Sequence, residues 1–80
     1  MDRDQIQQRA TAVVCRVLRV DPGMVQPDSN FIFDLGAEST QSVQLVAAFE
    51  EEFGVEMDNE AALGVQTVGG AVDFITQYVQ

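Results

Sequence analysis

The sequence contains no histidine, no lysine and no tryptophan, and a single cysteine. Without histidine there is no Ser-His or Cys-His nucleophile pair, and no imidazole to move protons near neutral pH. One cysteine, Cys15, excludes an intramolecular disulfide and a cysteine-rich zinc site. Bases are scarce as well. Four arginines face 13 acids, for a formal charge of −9. That balance opposes nucleic acid, whose binding depends on Lys and Arg neutralising phosphates, and it opposes anionic membrane surfaces. The longest unbroken apolar run, Leu45 to Phe49, is far short of the ~20 residues that cross a bilayer, so no membrane insertion is expected. Met1-Asp2-Arg3-Asp4-Gln5 lacks the basic-then-apolar layout of a signal peptide. A cytoplasmic protein is the expectation.

What is present describes a globular chain. Its 80 residues suffice for one domain over residues 1–80, and 46% of them are hydrophobic, too many for a disordered chain. A domain of this size buries roughly 63% of its unfolded surface and retains a net stability of ~5 kcal/mol. All four arginines (Arg3, Arg9, Arg16 and Arg19) fall within the first 19 residues, while the remaining 61 carry 11 acids and no base. So one-sided a charge repels itself and favours a monomer. It keeps a small protein dispersed, and it also steers a basic partner into place.

The periodicity is helical throughout. Ile6, Ala10, Val13, Val14, Val17 and Leu18 form one apolar stripe over about four turns. Asp2 and Asp4 stand at its start and Arg16 and Arg19 at its end, as the helix dipole favours, and Asp21-Pro22-Gly23 is expected to stop it. Cys15 lies off the stripe's centre and reads as a partly buried small residue. Residues 20–38 form a long connection. Its apolar content (Met24, Val25, Phe31, Ile32, Phe33 and Leu35) predicts that it lies across the helices with its aromatics tucked in. A second helix is expected from Glu38 or Ser39, with Leu45, Val46, Phe49 and Phe53 as its core stripe and Gly54 as its C-cap. Asp58 or Asn59 caps a short helix over Glu60 to Gly64. Thr67 caps a last one with Val68, Ala71, Val72, Ile75 and Val79 on one face. Gly69 and Gly70 in its first turns predict either close helix packing or a soft start. The fold class is all-α: a small bundle of three main helices plus a short one.

Three places offer chemistry. Neither Asp21–Asn30 nor Asp58–Glu60 has the alternating acids, sixth-position glycine and twelfth-position glutamate of an EF-hand loop, so calcium is rejected. Glu50-Glu51-Glu52 reads as a solvated acidic face, since carboxylates acting as general acid and base need burial to separate their pKa values. The third is Phe33-Asp34-Leu35-Gly36-Ala37-Glu38-Ser39-Thr40. A serine at a helix start is ordinarily a cap worth about 1 kcal/mol. Here Gly36 and Ala37 leave little bulk around Ser39, and the first-turn N–H groups form a natural seat for a phosphate.

The run Asp34-Leu35-Gly36-Ala37-Glu38-Ser39, followed by Val43, Leu45-Val46 and Phe49-Glu50-Glu51-Glu52-Phe53, resembles the acyl carrier protein family. The resemblance continues without a gap through Val65-Gln66-Thr67-Val68 to Ala71-Val72-Asp73-Phe74-Ile75. It implies that Ser39 is the attachment serine, modified by a phosphopantetheinyl transferase using coenzyme A and magnesium. The product is a 4′-phosphopantetheine phosphodiester whose thiol holds cargo as a thioester. It implies no enzymatic activity of the chain's own; the thioester carries the reactivity and partner enzymes perform the steps. By position, Glu38, Thr40, Gln41, Val43, Gln44, Ala47, Glu50, Glu51 and Met57 match the face that partners read. Phe31, Phe49, Ala62, Val65, Ala71 and Phe74 match the interior that shelters an acyl chain, and ordinary core packing accounts for the same six.

Departures from the family pattern narrow the expectation. Glu38-Ser39-Thr40 stands where aspartate-serine-leucine is usual, and Gln41 and Gln44 stand where acids are common, so the acidic face begins only at Glu50. Thr40 offers a partner pocket built for leucine ~1–2 kcal/mol less. A discrete carrier serving partner enzymes of fatty-acid, polyketide-like or other specialised synthesis is expected, and these departures favour a dedicated polyketide-like, modified-lipid or aminoacyl pathway over general fatty-acid synthesis. An aminoacyl or peptidyl carrier is the nearest alternative. From a different class, an acidic helical adaptor without a prosthetic group is the other.

Overall fold

A computed structural model describes residues 1–79. Four α-helices follow in order: α1 (Arg3–Leu18), α2 (Ser39–Phe53), α3 (Asn59–Leu63) and α4 (Val68–Val79). No named strand occurs among the described residues, and the architecture is the expected all-α bundle of three main helices and one short one.

Local chemistry sets the helix ends. Asp2 Oδ1 accepts from the Gln5 N–H at 2.8 Å while Gln5 Oε1 accepts from the Asp2 N–H at 3.1 Å, a reciprocal capping box that opens α1. Its stripe is buried as expected at Ile6, Ala10, Val13, Val14 and Leu18, with Val17 half-buried. The helix stops before Asp21-Pro22-Gly23. Arg19 takes the left-handed conformation (φ 57°, ψ 48°), its N–H and that of Val20 share the Cys15 carbonyl, and Pro22–Met24 forms a separate 3₁₀ turn. Gly54 closes α2 at φ 65°. Asp58 Oδ1 caps α3 through the Ala61 N–H at 3.2 Å, and Thr67 Oγ1 caps α4 through the Gly70 N–H at 3.1 Å.

The core lies between α1, α2 and α4, with Ile6, Val13, Val14, Val68, Val72 and Ile75 almost fully enclosed. Gly69 settles the choice posed by the paired glycines. Its N–H donates to the Pro27 carbonyl at 2.7 Å, and a Cβ there would stand 2.8 Å from that oxygen. Close packing against the long connection therefore requires it. An isolated bridge, Asn30 to Thr67, fixes the connection beside the start of α4.

The connection differs from expectation in its aromatics. Phe31 and Leu35 are buried, but Phe33 is 87% exposed and Ile32 and Met24 are also exposed. Asn30 is the cause. Its Oδ1 accepts from the N–H groups of both Ile32 and Phe33 at 2.9 Å, and its carbonyl accepts from Asp34 and Leu35. This wound coil sends Phe31 and Leu35, four apart, inward and the residues between them outward.

Candidate functional site

The coil delivers the chain to α2 through two more backbone bonds. The Gly36 N–H donates to the Ile32 carbonyl at 3.1 Å with Gly36 at φ 73°, and the Ala37 N–H donates to the Phe31 carbonyl at 2.7 Å. Gly36 supplies a positive φ that most residues adopt only at a cost. Glu38 then adopts extended geometry (φ −90°, ψ 167°) as the N-cap, so Ser39 is the first helical residue and not the cap.

That one-residue offset decides what the serine is free to do. The Glu38 N–H is accepted by Gln41 Oε1 at 2.9 Å, and the Glu38 carbonyl takes both the N–H and the hydroxyl of Ser42, at 3.0 and 3.3 Å. The Gln41 N–H is taken by the Glu38 side chain, completing a capping box, whereas the exposed Ser39 hydroxyl donates to no acceptor among the described residues, and neither do the N–H groups of Ser39 and Thr40. Such orphan donors carry the positive end of the helix dipole. A spare hydroxyl beside unmet N–H groups fits a phosphodiester, which brings anionic oxygens and no proton to donate.

A cavity of about 170 Å³ opens beside this end of α2. Phe31, Phe49, Ala62, Val65, Ala71 and Phe74 all line it. Ser42, one turn beyond Ser39, belongs to the same wall, so the cavity begins close to the serine. An apolar cavity of about 150 Å³ holds a benzene molecule, so this one admits about six carbon atoms without repacking.

The residues matched to a partner-facing surface divide. Glu38, Thr40, Val43, Gln44, Ala47 and Glu51 are exposed, and Gln41 is half-buried. Glu50 is half-buried too, its Oε2 accepting from the Met57 N–H at 2.9 Å. Met57 corrects the expectation: at 7% exposed it belongs to the core and lines the cavity, because that bond turns the chain after α2 inward. Sequence reading also missed Ile32 and Ser42 in the cavity wall. Ile32 counts in the sequence only as part of the connection's apolar content, and nothing in helical spacing marks a serine as a lining residue.

On the other side of α2 an open groove holds Arg9, Arg16, Gln44, Ala47, Glu51 and Glu52. Arg9 is committed within it. Its Nε donates to Glu52 Oε2 at 2.7 Å and its Nη2 to the Glu52 carbonyl at 2.6 Å, and the guanidinium lies 5.1 Å from the centre of the Phe53 ring. Cys15 is half-buried and remote in function: burial, and then the Asp21 carboxylate, push its thiol pKa up. Among the described residues no cluster of His, Cys, Asp or Glu is placed to hold a metal ion, and no helix is long and apolar enough to cross a membrane.

Two comparisons bear on this site. Residues 8–75 match the family model described as a phosphopantetheine attachment site. An acyl carrier protein of Prochlorococcus marinus (strain MIT 9515) is 48% identical over 75 residues, which cover 94% of this chain and 94% of that relative. A match of that identity over nearly both full lengths, with the family model over residues 8–75, shows the family: the chain belongs to the acyl carrier protein family, a carrier and not an enzyme, with 4′-phosphopantetheine as its prosthetic group.

Proposed function

We propose that Ser39 bears the 4′-phosphopantetheine arm and that this chain delivers acyl intermediates to synthesis enzymes. The observation that carries the proposal is the free hydroxyl: Glu38 has taken the cap position, and the Ser39 oxygen stands exposed at the helix start. When bound, the arm supplies a thiol that holds cargo as an activated thioester.

The chain's own residues do the rest. Ser39 Oγ attacks the coenzyme A phosphorus, a new O–P bond forms, and the bond to the nucleotide half breaks. The serine proton must leave to a base of the transferase, because no side chain here accepts from that hydroxyl. The N–H groups of Ser39 and Thr40, which have no acceptor in the protein, would hold the anionic oxygens of a phosphodiester at Ser39. The cavity lined by Phe31, Phe49, Ala62, Val65, Ala71 and Phe74 offers apolar walls to a short acyl chain of about six carbons.

Partner enzymes are a phosphopantetheinyl transferase and the loading, elongating or transferring enzymes of a synthesis pathway. They meet the face of Glu38, Thr40, Gln41, Val43, Gln44, Ala47 and Glu51. Because the first half of α2 is neutral beyond Glu38, electrostatic steering by basic partners comes mainly from the acids after Glu50. That distribution favours a dedicated pathway over general fatty-acid synthesis. Equal loading and elongation by housekeeping enzymes, compared with a standard carrier, would remove the pathway reading.

Incubation with a transferase and coenzyme A, read by intact mass, tests the core of the proposal. The wild-type chain gains one arm and Ser39→Ala gains none. An unmodified wild type, or a modified Ser39→Ala, overturns it.

A further inference from the structure

Phe33 is the most exposed large apolar side chain of the structure, at 87%, and its neighbour Ile32 is 56% exposed. Scattered exposed apolar residues are ordinary on protein surfaces. This one differs in that the backbone carrying it is fixed. The Phe33 N–H is bound to Asn30 Oδ1 at 2.9 Å, and Asn30 is itself fixed by Asp34 Oδ2, which accepts its N–H at 2.7 Å. The Phe31 N–H bonds the Gln66 carbonyl at 2.9 Å, tying the coil to the start of α4. With the backbone already fixed, only the ring's own rotamer freedom is lost when it enters a partner's pocket.

Its position is tied to the serine. Ile32 accepts from the Gly36 N–H, and only three residue steps separate Gly36 from Ser39, about 11 Å at most. Asp34 and Glu38, both exposed, flank this stretch, and no base occurs in the sequence after Arg19. Like charge disfavours a second copy of this chain or an anionic lipid surface as the occupant. A protein with a basic rim is favoured instead.

We infer that Phe33 is the apolar anchor gripped by the phosphopantetheinyl transferase, in an apolar socket rimmed by basic side chains. The inference rests on Ser39 being the attachment residue. All partners meet the exposed face of α2, but the transferase must in addition bring its own groups to the Ser39 oxygen, so its surface has to cover the neighbouring coil.

Steady-state loading of apo wild type, Phe33→Ala and Phe33→Leu by one transferase tests this. Removing a fully buried aromatic contact is expected to lower kcat/KM by about 10- to 100-fold, mainly through KM, with Phe33→Leu recovering most of it. The ratio stays constant between low and high salt, because apolar burial is not screened. Phe33→Ala is expected to melt within about 2 °C of wild type, since the side chain is exposed. Equal loading of wild type and Phe33→Ala, to within about twofold, overturns the inference and leaves the Ser39 reading standing. Failure to load wild type overturns both. A wild-type dimer dispersed by Phe33→Ala reassigns the surface to self-association and likewise overturns it.

Discussion

At its start, α2 leaves the Ser39 hydroxyl and the N–H groups of Ser39 and Thr40 without protein acceptors among the described residues, and Glu38 is the lone charge there. At its end, Glu50, Glu51 and Glu52 place negative charge where the helix dipole disfavours it, yet that end is closely tied. Arg9 binds both the Glu52 carboxylate and the Glu52 carbonyl and lies over Phe53, while Glu50 holds the Met57 N–H. One helix thus has an end built for stability and an end whose bonding capacity is left open. Capacity left unmet in a folded protein is available to a ligand, and here it surrounds the residue proposed to carry the arm.

The sharpest way to break that contrast is a pair of substitutions ten residues apart. Phe49→Ala empties a side chain that is 6% exposed and is expected to cost about 3–5 kcal/mol, most of the stability of so small a domain. Urea unfolding followed by circular dichroism reads this directly. Ser39→Ala, by contrast, is expected to change stability by less than about 0.5 kcal/mol while abolishing loading. A loss of ~1 kcal/mol there would show that the hydroxyl caps the helix after all. Next in size, Arg9→Ala is expected to cost about 1–2 kcal/mol, because two charge-assisted hydrogen bonds are lost from a half-buried site. Arg9→Lys recovers only part, since an ammonium cannot reproduce the fork. The smallest effect is a gain: Arg19→Gly relieves a left-handed residue at the end of α1 and is expected to add about 0.5–1 kcal/mol, seen as a higher urea midpoint.

The parts legible in the sequence were those that local rules govern. The α1 stripe, the Gly54 C-cap, the Asp58 and Thr67 caps and the position of Ser39 follow from spacing and residue type alone. The parts that were not legible depend on bonds between segments or on side chains folding back on the backbone. Hydropathy predicted Phe33 inside, but Asn30 winds the coil so that it points out. Met57 matched an outer face, but the Glu50 carboxylate draws its backbone inward. Proline and glycine at 22 and 23 signalled a stop that Arg19 makes earlier. Gly69 admitted two explanations until the Pro27 carbonyl was found against it.

Three hydroxyls lie within one turn at the head of α2, those of Ser39, Thr40 and Ser42, and Ser42 is already donating to the Glu38 carbonyl. Peptide-level tandem mass spectrometry of the chain purified from its own host, locating the arm and its cargo, therefore tests the account most directly. The account predicts 4′-phosphopantetheine on Ser39 alone. An arm on Thr40 or Ser42, or a bare peptide from cells that make the transferase, would contradict it.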